Sequence, residues 1–173
     1  MEFKRWFNKK LEIGSYPFTQ NSSYDKKKYD VCINMSDEWY PDIDLKIREI
    51  TERVYWFPMN EVKSDVGINS LYGAMNILYN AFKNNQKVYL HCHAGINRSQ
   101  ATGDAFWFMM MNKHRETNKG NGFINRLMRM CGYNYLPPKN EVENFLKNLK
   151  EILDSNLEYM GGQLDTIKNS NIK

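Results

Sequence analysis

The stretch from Lys87 to Gly103, KVYLHCHAGINRSQATG, constrains this chain more than any other. Its first part, Lys87 to Leu90, carries Val88 and Tyr89, which favour an extended backbone and predict a short strand. His91 to Arg98 then read as a tight loop, in which Gly95 can adopt angles closed to other residues. From about Ser99 the apolar run Ala101 to Met111 predicts a helix. A loop that feeds a helix N-terminus points backbone N–H groups, and the positive end of the helix dipole, at one spot. Such a site suits an anion. Arg98 adds a planar, two-pronged donor that matches phosphate oxygens. Cys92 opens the loop, where the positive field favours a thiolate, and a thiolate in a phosphate cradle is a nucleophile aimed at phosphorus. Ser99 is placed to hydrogen-bond that sulfur and help it leave again.

The rest of the composition narrows the setting. A chain of 173 residues is most simply one domain, 1–173, with a tail expected to fray after about residue 160. Hydrophobic residues at 42% and aromatics at 14% are those of a folded protein. Lys and Arg total 24 against 20 acidic residues, a net charge of +4 that agrees with an anionic substrate without demanding one. Three cysteines, Cys32, Cys92 and Cys131, do not make a disulfide framework. His91 and His93 flank Cys92 without zinc-ligand spacing around them, so no metal and no cofactor is expected. No stretch approaches the ~20 apolar residues of a membrane span, and residues 1–8 hold no apolar leader. A reducing, cytoplasmic location is therefore expected; the oligomeric state is left open.

Other elements follow in order. Leu11 to Ser15 predicts a short strand ending in a Gly turn, and Tyr29 to Asn34 a buried strand with Cys32 as an inert core thiol. Lys26–Lys28 reads as a solvated face, and Trp39 and Tyr40 as packing on the domain edge. Val54 to Met59 predicts a strand stopped by Pro58. Apolar positions Ile68, Leu71, Ala74, Met75, Leu78, Ala81 and Phe82 recur at spacings of three and four, predicting an amphipathic helix over 68–84. Phe123 to Gly132 predicts a short helix bearing Arg126 and Arg129. Glu141 to Leu153 predicts a last amphipathic helix.

HCHAGINRS resembles the HCxxGxxR[ST] signature of the cysteine-based protein tyrosine phosphatase superfamily, with the compact dual-specificity phosphatases as the nearest branch. Leu11 to Ser15, Tyr29 to Asn34 and the closing helix resemble weaker family elements, so the likeness covers about residues 10–150. It implies an α/β fold, a central, mainly parallel sheet of four or five strands flanked by helices, with the loop at the strands' carboxyl ends. It implies Cys92 as nucleophile, Arg98 and the amides of His93, Ala94, Gly95, Ile96 and Asn97 as the phosphate cradle, and Ser99 as the partner of the leaving sulfur. It also implies a carboxylic acid on a loop after the third strand. Here the pattern departs from the family: Glu61 takes the acid's place, Asp65 lies four residues later, and a third possibility is that neither serves. The implied substrate is a phosphorylated protein or peptide. Gly95-Ile96-Asn97-Arg98 also resembles the G-x-N-R of RNA 5′-triphosphatases, so an RNA 5′ end is the alternative partner. A phosphoinositide ranks lower, because residues 93, 96 and 97 are not lysines. An inactive phosphate-binding module is the non-enzymatic alternative.

Overall fold

A computed structural model describes residues 2–16, 29–38, 47–48, 51, 53–59, 67–115 and 143–155. Four parallel strands form one sheet: β1 (Leu11–Gly14), β2 (Val31–Ser36), β3 (Arg53–Met59) and β4 (Val88–His91), in the order β1-β4-β2-β3. Around it lie helices α1 (Phe3–Lys10), α2 (Gly67–Lys83), α3 (Arg98–Met111) and α4 (residues 143–155). The expected α/β architecture is present, and among the described residues the sheet is wholly parallel.

Side-chain alternation along the strands sorts the core into two layers. Val31, Ile33 and Met35 of β2 and Val88 and Leu90 of β4 face a large cluster that takes in all four helices. From the helices come Trp6, Leu71, Leu78, Phe106 and Leu149, each 3% exposed or less. Cys32 and Tyr89 point the other way, into a smaller cluster with Tyr16, Tyr29 and Ile47. Strands buried on both faces read as near-continuous apolar runs, as Val31-Cys32-Ile33 and Val88-Tyr89-Leu90 do.

Two features differ from the expectations. The first is α1. Phe3, Trp6 and Phe7 stand three and four residues apart, which puts them on one helical face. All three are buried, and the Trp6 Nε1–H donates to the Gln86 carbonyl at 3.0 Å. The second is Pro58, which does not stop β3. The register slips between Asn34↔Trp56 and Ser36↔Met59, so Phe57 and Pro58 together oppose the single residue Met35. A bulge on a strand at the sheet's edge tolerates a residue that lacks an N–H. The Pro58 carbonyl accepts the Ser70 hydroxyl from α2 at 2.7 Å, so the bulge is also tied to the helix that follows it.

The remaining elements agree with the sequence to within two or three residues. The predicted helix over 68–84 is α2, and the one over 141–153 is α4. The two are joined by a hydrogen bond from the Tyr79 hydroxyl to Asp154. Burial and that carboxylate raise the Tyr79 phenol above its ordinary value. Burial pushes the Asp154 carboxyl upward, but hydrogen bonds from Lys150 and Tyr79 outweigh it, so the net shift is downward. The helix predicted over 123–132, with Arg126 and Arg129, lies outside the described residues. So do Lys26–Lys28, Trp39, Tyr40, Cys131 and the tail after 160.

Candidate active site

β4 runs down the middle of the sheet, between β1 and β2, and ends at His91. In register, His91 lies beside Gly14 of β1 and Asn34 of β2. The loop that follows β4 therefore emerges at the carboxyl edge of a parallel sheet, flanked by two other strand ends, before α3 begins at Arg98. This is the crevice where open α/β sheets hold ligands.

The loop's shape rests on contacts with the end of β1. Gly95 has φ +70°, the left-handed region that its lack of a Cβ allows. A Cβ there would lie 2.5 Å from the Gly14 carbonyl carbon and the Ser15 nitrogen, so the backbones touch where only glycine fits. The Tyr16 N–H donates to the His93 carbonyl at 3.0 Å. On the helix side, the Thr102 hydroxyl donates to the Arg98 carbonyl at 2.8 Å and the Gln100 amide to the Gly95 carbonyl at 3.3 Å. Asn97 stands at the N-cap position of α3, and its side chain does not supply the capping hydrogen bond. Helix first-turn amides have no intrahelical acceptors, which is why such a terminus attracts an anion.

Cys92 and Ser99, the two ends of the loop, meet on its floor. The Sγ–Oγ distance is 3.3 Å and both residues are fully buried. The Ser99 hydroxyl is also 3.4 Å from the Gly14 carbonyl. Ser99 has one proton and two acceptors within reach. With Cys92 as a thiol, sulfur can donate to Ser99 Oγ while Ser99 donates to Gly14. With Cys92 as a thiolate, the serine proton can turn to sulfur.

Arg98 is almost as deeply set, at 5% exposure. Its Nη1 donates to the Met59 carbonyl at 3.1 Å and to the Asp37 carboxylate. The guanidinium is thus held by the ends of β2 and β3 together. Glu38, the next residue, contacts His93 Nδ1 at 2.7 Å. The turn that carries both acids is itself ordered. Asn34 Oδ1 accepts from the Ser36 N–H at 2.8 Å and the Ser36 hydroxyl at 2.7 Å, and the Trp56 Nε1–H donates to the Ser36 carbonyl at 2.7 Å.

Next to Cys92 in the chain, His91 is fully buried between aromatic rings, with Tyr16 edge-on at 4.9 Å and Tyr89 stacked at 5.6 Å. Burial pushes its imidazole down to about 3, against a weaker opposing contact with the Cys92 backbone. The ring is therefore neutral near pH 7.

The structure thus brings together Cys92, His93, Ala94, Gly95, Ile96, Asn97, Arg98 and Ser99 of the expected site. Glu61 and Asp65 lie outside the described residues. Sequence reasoning missed Asp37 and Glu38, which lie outside every motif it singles out. The available signal was their position: two acids directly after a buried strand stand at the carboxyl edge of whatever sheet that strand joins.

No family model and no curated protein sequence matches this chain. Solved structures do. The core catalytic domain of the PP-IP phosphatase SIW14 from S. cerevisiae superposes with a TM-score of 0.53 at 17% identity, covering 85% of this chain and 88% of that one. The PTP-2 phosphatase of Cydia pomonella superposes with a TM-score of 0.50 at 14% identity, covering 82% and 86%. At such identities the likeness is one of fold.

Proposed function

We propose that this chain, which has the fold of the cysteine-based protein tyrosine phosphatase superfamily, hydrolyses phosphate monoesters on proteins through a cysteinyl-phosphate intermediate. Phosphotyrosine is the first substrate, with phosphoserine and phosphothreonine as further ones. The observation that carries this reading is the pairing of Cys92 and Ser99 at 3.3 Å across a loop that Arg98 closes.

In the first step the Cys92 thiolate attacks phosphorus in line and the bond to the leaving oxygen breaks. Arg98 and the loop amides hold the three equatorial oxygens as charge spreads over them. The leaving oxygen takes a proton from a carboxylic acid, for which Glu61 and Asp65 are the candidates. In the second step that carboxylate takes a proton from water, the water oxygen bonds to phosphorus and the sulfur departs. The Ser99 hydroxyl donates to the departing sulfur. His91, uncharged, adds no second cation behind the thiolate. The positive charge comes from Arg98 and the amides, so turnover persists in EDTA. A thiolate nucleophile also fits a reducing compartment; Cys32 and Cys92, the described cysteines, are both free.

The test is phosphate release in EDTA from a phosphotyrosine peptide, triphosphate-ended RNA and an inositol pyrophosphate, with wild type against Cys92→Ser. The RNA is included for Gly95-Ile96-Asn97-Arg98, and the inositol pyrophosphate because SIW14, a PP-IP phosphatase, shares the fold. We expect the peptide to be preferred and the serine variant to lose at least about a thousandfold in kcat while still binding substrate. Near wild-type release by the serine variant ends the cysteine mechanism. Preference for RNA or inositol pyrophosphate moves the substrate class and leaves the mechanism standing.

A further inference from the structure

The end of β1 meets the phosphate loop through its backbone. Gly95 sits against the Gly14–Ser15 backbone, and the Tyr16 N–H donates to the His93 carbonyl at 3.0 Å. The pairing of β1 with β4 ends at Gly14↔His91, so Ser15 and Tyr16 lie past the last ladder pair. Tyr89 reaches them from within the sheet. It stands on β4 opposite Glu12 of β1, fully buried, and its hydroxyl donates to the Ser15 carbonyl at 2.8 Å. A buried phenol needs an acceptor, and that need accounts for a bond but not for this choice of acceptor.

The Ser15 carbonyl and the Tyr16 N–H belong to one peptide unit. In a trans unit the two groups point in opposite directions and turn together. One end of this plane is held by Tyr89, and the other carries the His93 carbonyl. The same rule applies one plane further on. The His93 carbonyl shares a peptide unit with the Ala94 N–H, so that N–H points away from β1. The rings beside this relay are packed around His91, with Tyr16 edge-on at 4.9 Å and Tyr89 stacked at 5.6 Å, and all three are fully buried.

We propose that Tyr89 is a positioning residue for the phosphate loop, acting through two peptide planes. Its hydroxyl fixes the Ser15–Tyr16 plane, and that plane fixes the His93 carbonyl. The Ala94 N–H is thereby turned to the side of the loop opposite β1, where it donates to the bound oxyanion. The relay rests on the proposed phosphate site but not on turnover. Tyr89 reaches Ser15 rather than substrate, so it is not a catalytic residue.

Tyr29 provides the control. It belongs to the same buried cluster, with its ring 5.2 Å from that of Tyr89, but its hydroxyl donates to Glu12 at 2.6 Å, near the start of β1. Tyr89→Phe and Tyr29→Phe thus each take one hydroxyl from one cluster. Tungstate, a tetrahedral oxyanion, is titrated by calorimetry into wild type and both variants, with thermal melts and phosphate release alongside. Amide spectra of isotope-labelled protein follow Ala94 through the titration. We expect Tyr89→Phe to weaken tungstate roughly tenfold and to shrink the tungstate-induced shift of the Ala94 amide, while Tyr29→Phe stays within about twofold of wild type even where the two melt alike. Wild-type affinity in folded Tyr89→Phe overturns the proposal. So does an equal loss in both variants, which marks a loosened cluster. If either variant does not fold, the wild-type spectra decide: an Ala94 amide among those most shifted by tungstate supports the relay, and an unmoved one overturns it. Wild type that binds tungstate but releases no phosphate defeats the catalytic reading and leaves the relay standing. Wild type that binds no tungstate defeats both.

Discussion

At the scale of single residues the site is a problem of fit, and Gly95 shows it most plainly. Its φ of +70° costs a non-glycine residue about 1–2 kcal/mol, and a methyl group would press on the Gly14–Ser15 backbone, which cannot yield as a side chain can. Gly95→Ala must therefore move the loop, and a shift of about 1 Å in a phosphate cradle costs on the order of 100-fold in rate. We expect kcat/KM on a phosphotyrosine peptide to fall by about that factor, and melting to move far less than activity. Alanine-variant kinetics within a few-fold of wild type would show that the loop tolerates another shape. The sequence already marked this glycine as a turn residue. It could not show that β1 was the wall behind it, because that contact joins residues eighty positions apart. Asp37 is the parallel case: an ordinary loop acid in the sequence, and in the fold the partner of Arg98.

At the scale of elements, the helices and strands followed the spacing of apolar residues. Leu71, Ala74, Met75 and Leu78 announced α2, and all four are fully buried. The element not read was α1, although Phe3, Trp6 and Phe7 carry a helical spacing. An 8-residue helix is too short to be stable by propensity alone, so packing decides it. Here Phe3 packs against Phe82 and Phe106, each with ring centroids 5.5 Å away, and Trp6 bonds to Gln86. Trp6→Phe should therefore remove a partly buried hydrogen bond, take the indole donor from the Gln86 carbonyl and open space in the core. The expected cost is about 1–3 kcal/mol in urea unfolding, with activity per folded molecule unchanged. An unmoved urea midpoint would mean that α1 is an ornament on the sheet rather than part of its core. Pro58 belongs to the same scale. Its missing N–H predicted a strand end, and the bulge opposite Met35 accommodated it instead.

At the scale of the whole molecule, stability and chemistry meet at His91. Its imidazole, ordinarily at 6.5, is held at about 3 by burial. Well above pH 6.5 neither the folded nor the unfolded chain protonates it, and it contributes no pH dependence. Below that, the unfolded chain takes up a proton that the folded chain refuses, so stability falls as pH drops from about 6.5 towards 3, by up to about 1.4 kcal/mol per pH unit. Urea midpoints measured between neutral and acid pH should show this slope in wild type and a shallower one in His91→Gln. Parallel slopes would assign the acid sensitivity to other groups. The sequence by itself determined the candidate site residues and the local structure. Cys92, Gly95, Arg98 and Ser99 stand close together in the chain, and a strand followed by a glycine loop and a helix needs few distant contacts to form. Tertiary structure alone decided what surrounds that loop. The strand order β1-β4-β2-β3 sets β4 between the ends of β1 and β2, and so brings Gly14, Tyr16, Asp37, Glu38 and Met59 to the loop. Pairing order depends on how all the apolar faces are buried at once, and no local pattern encodes it.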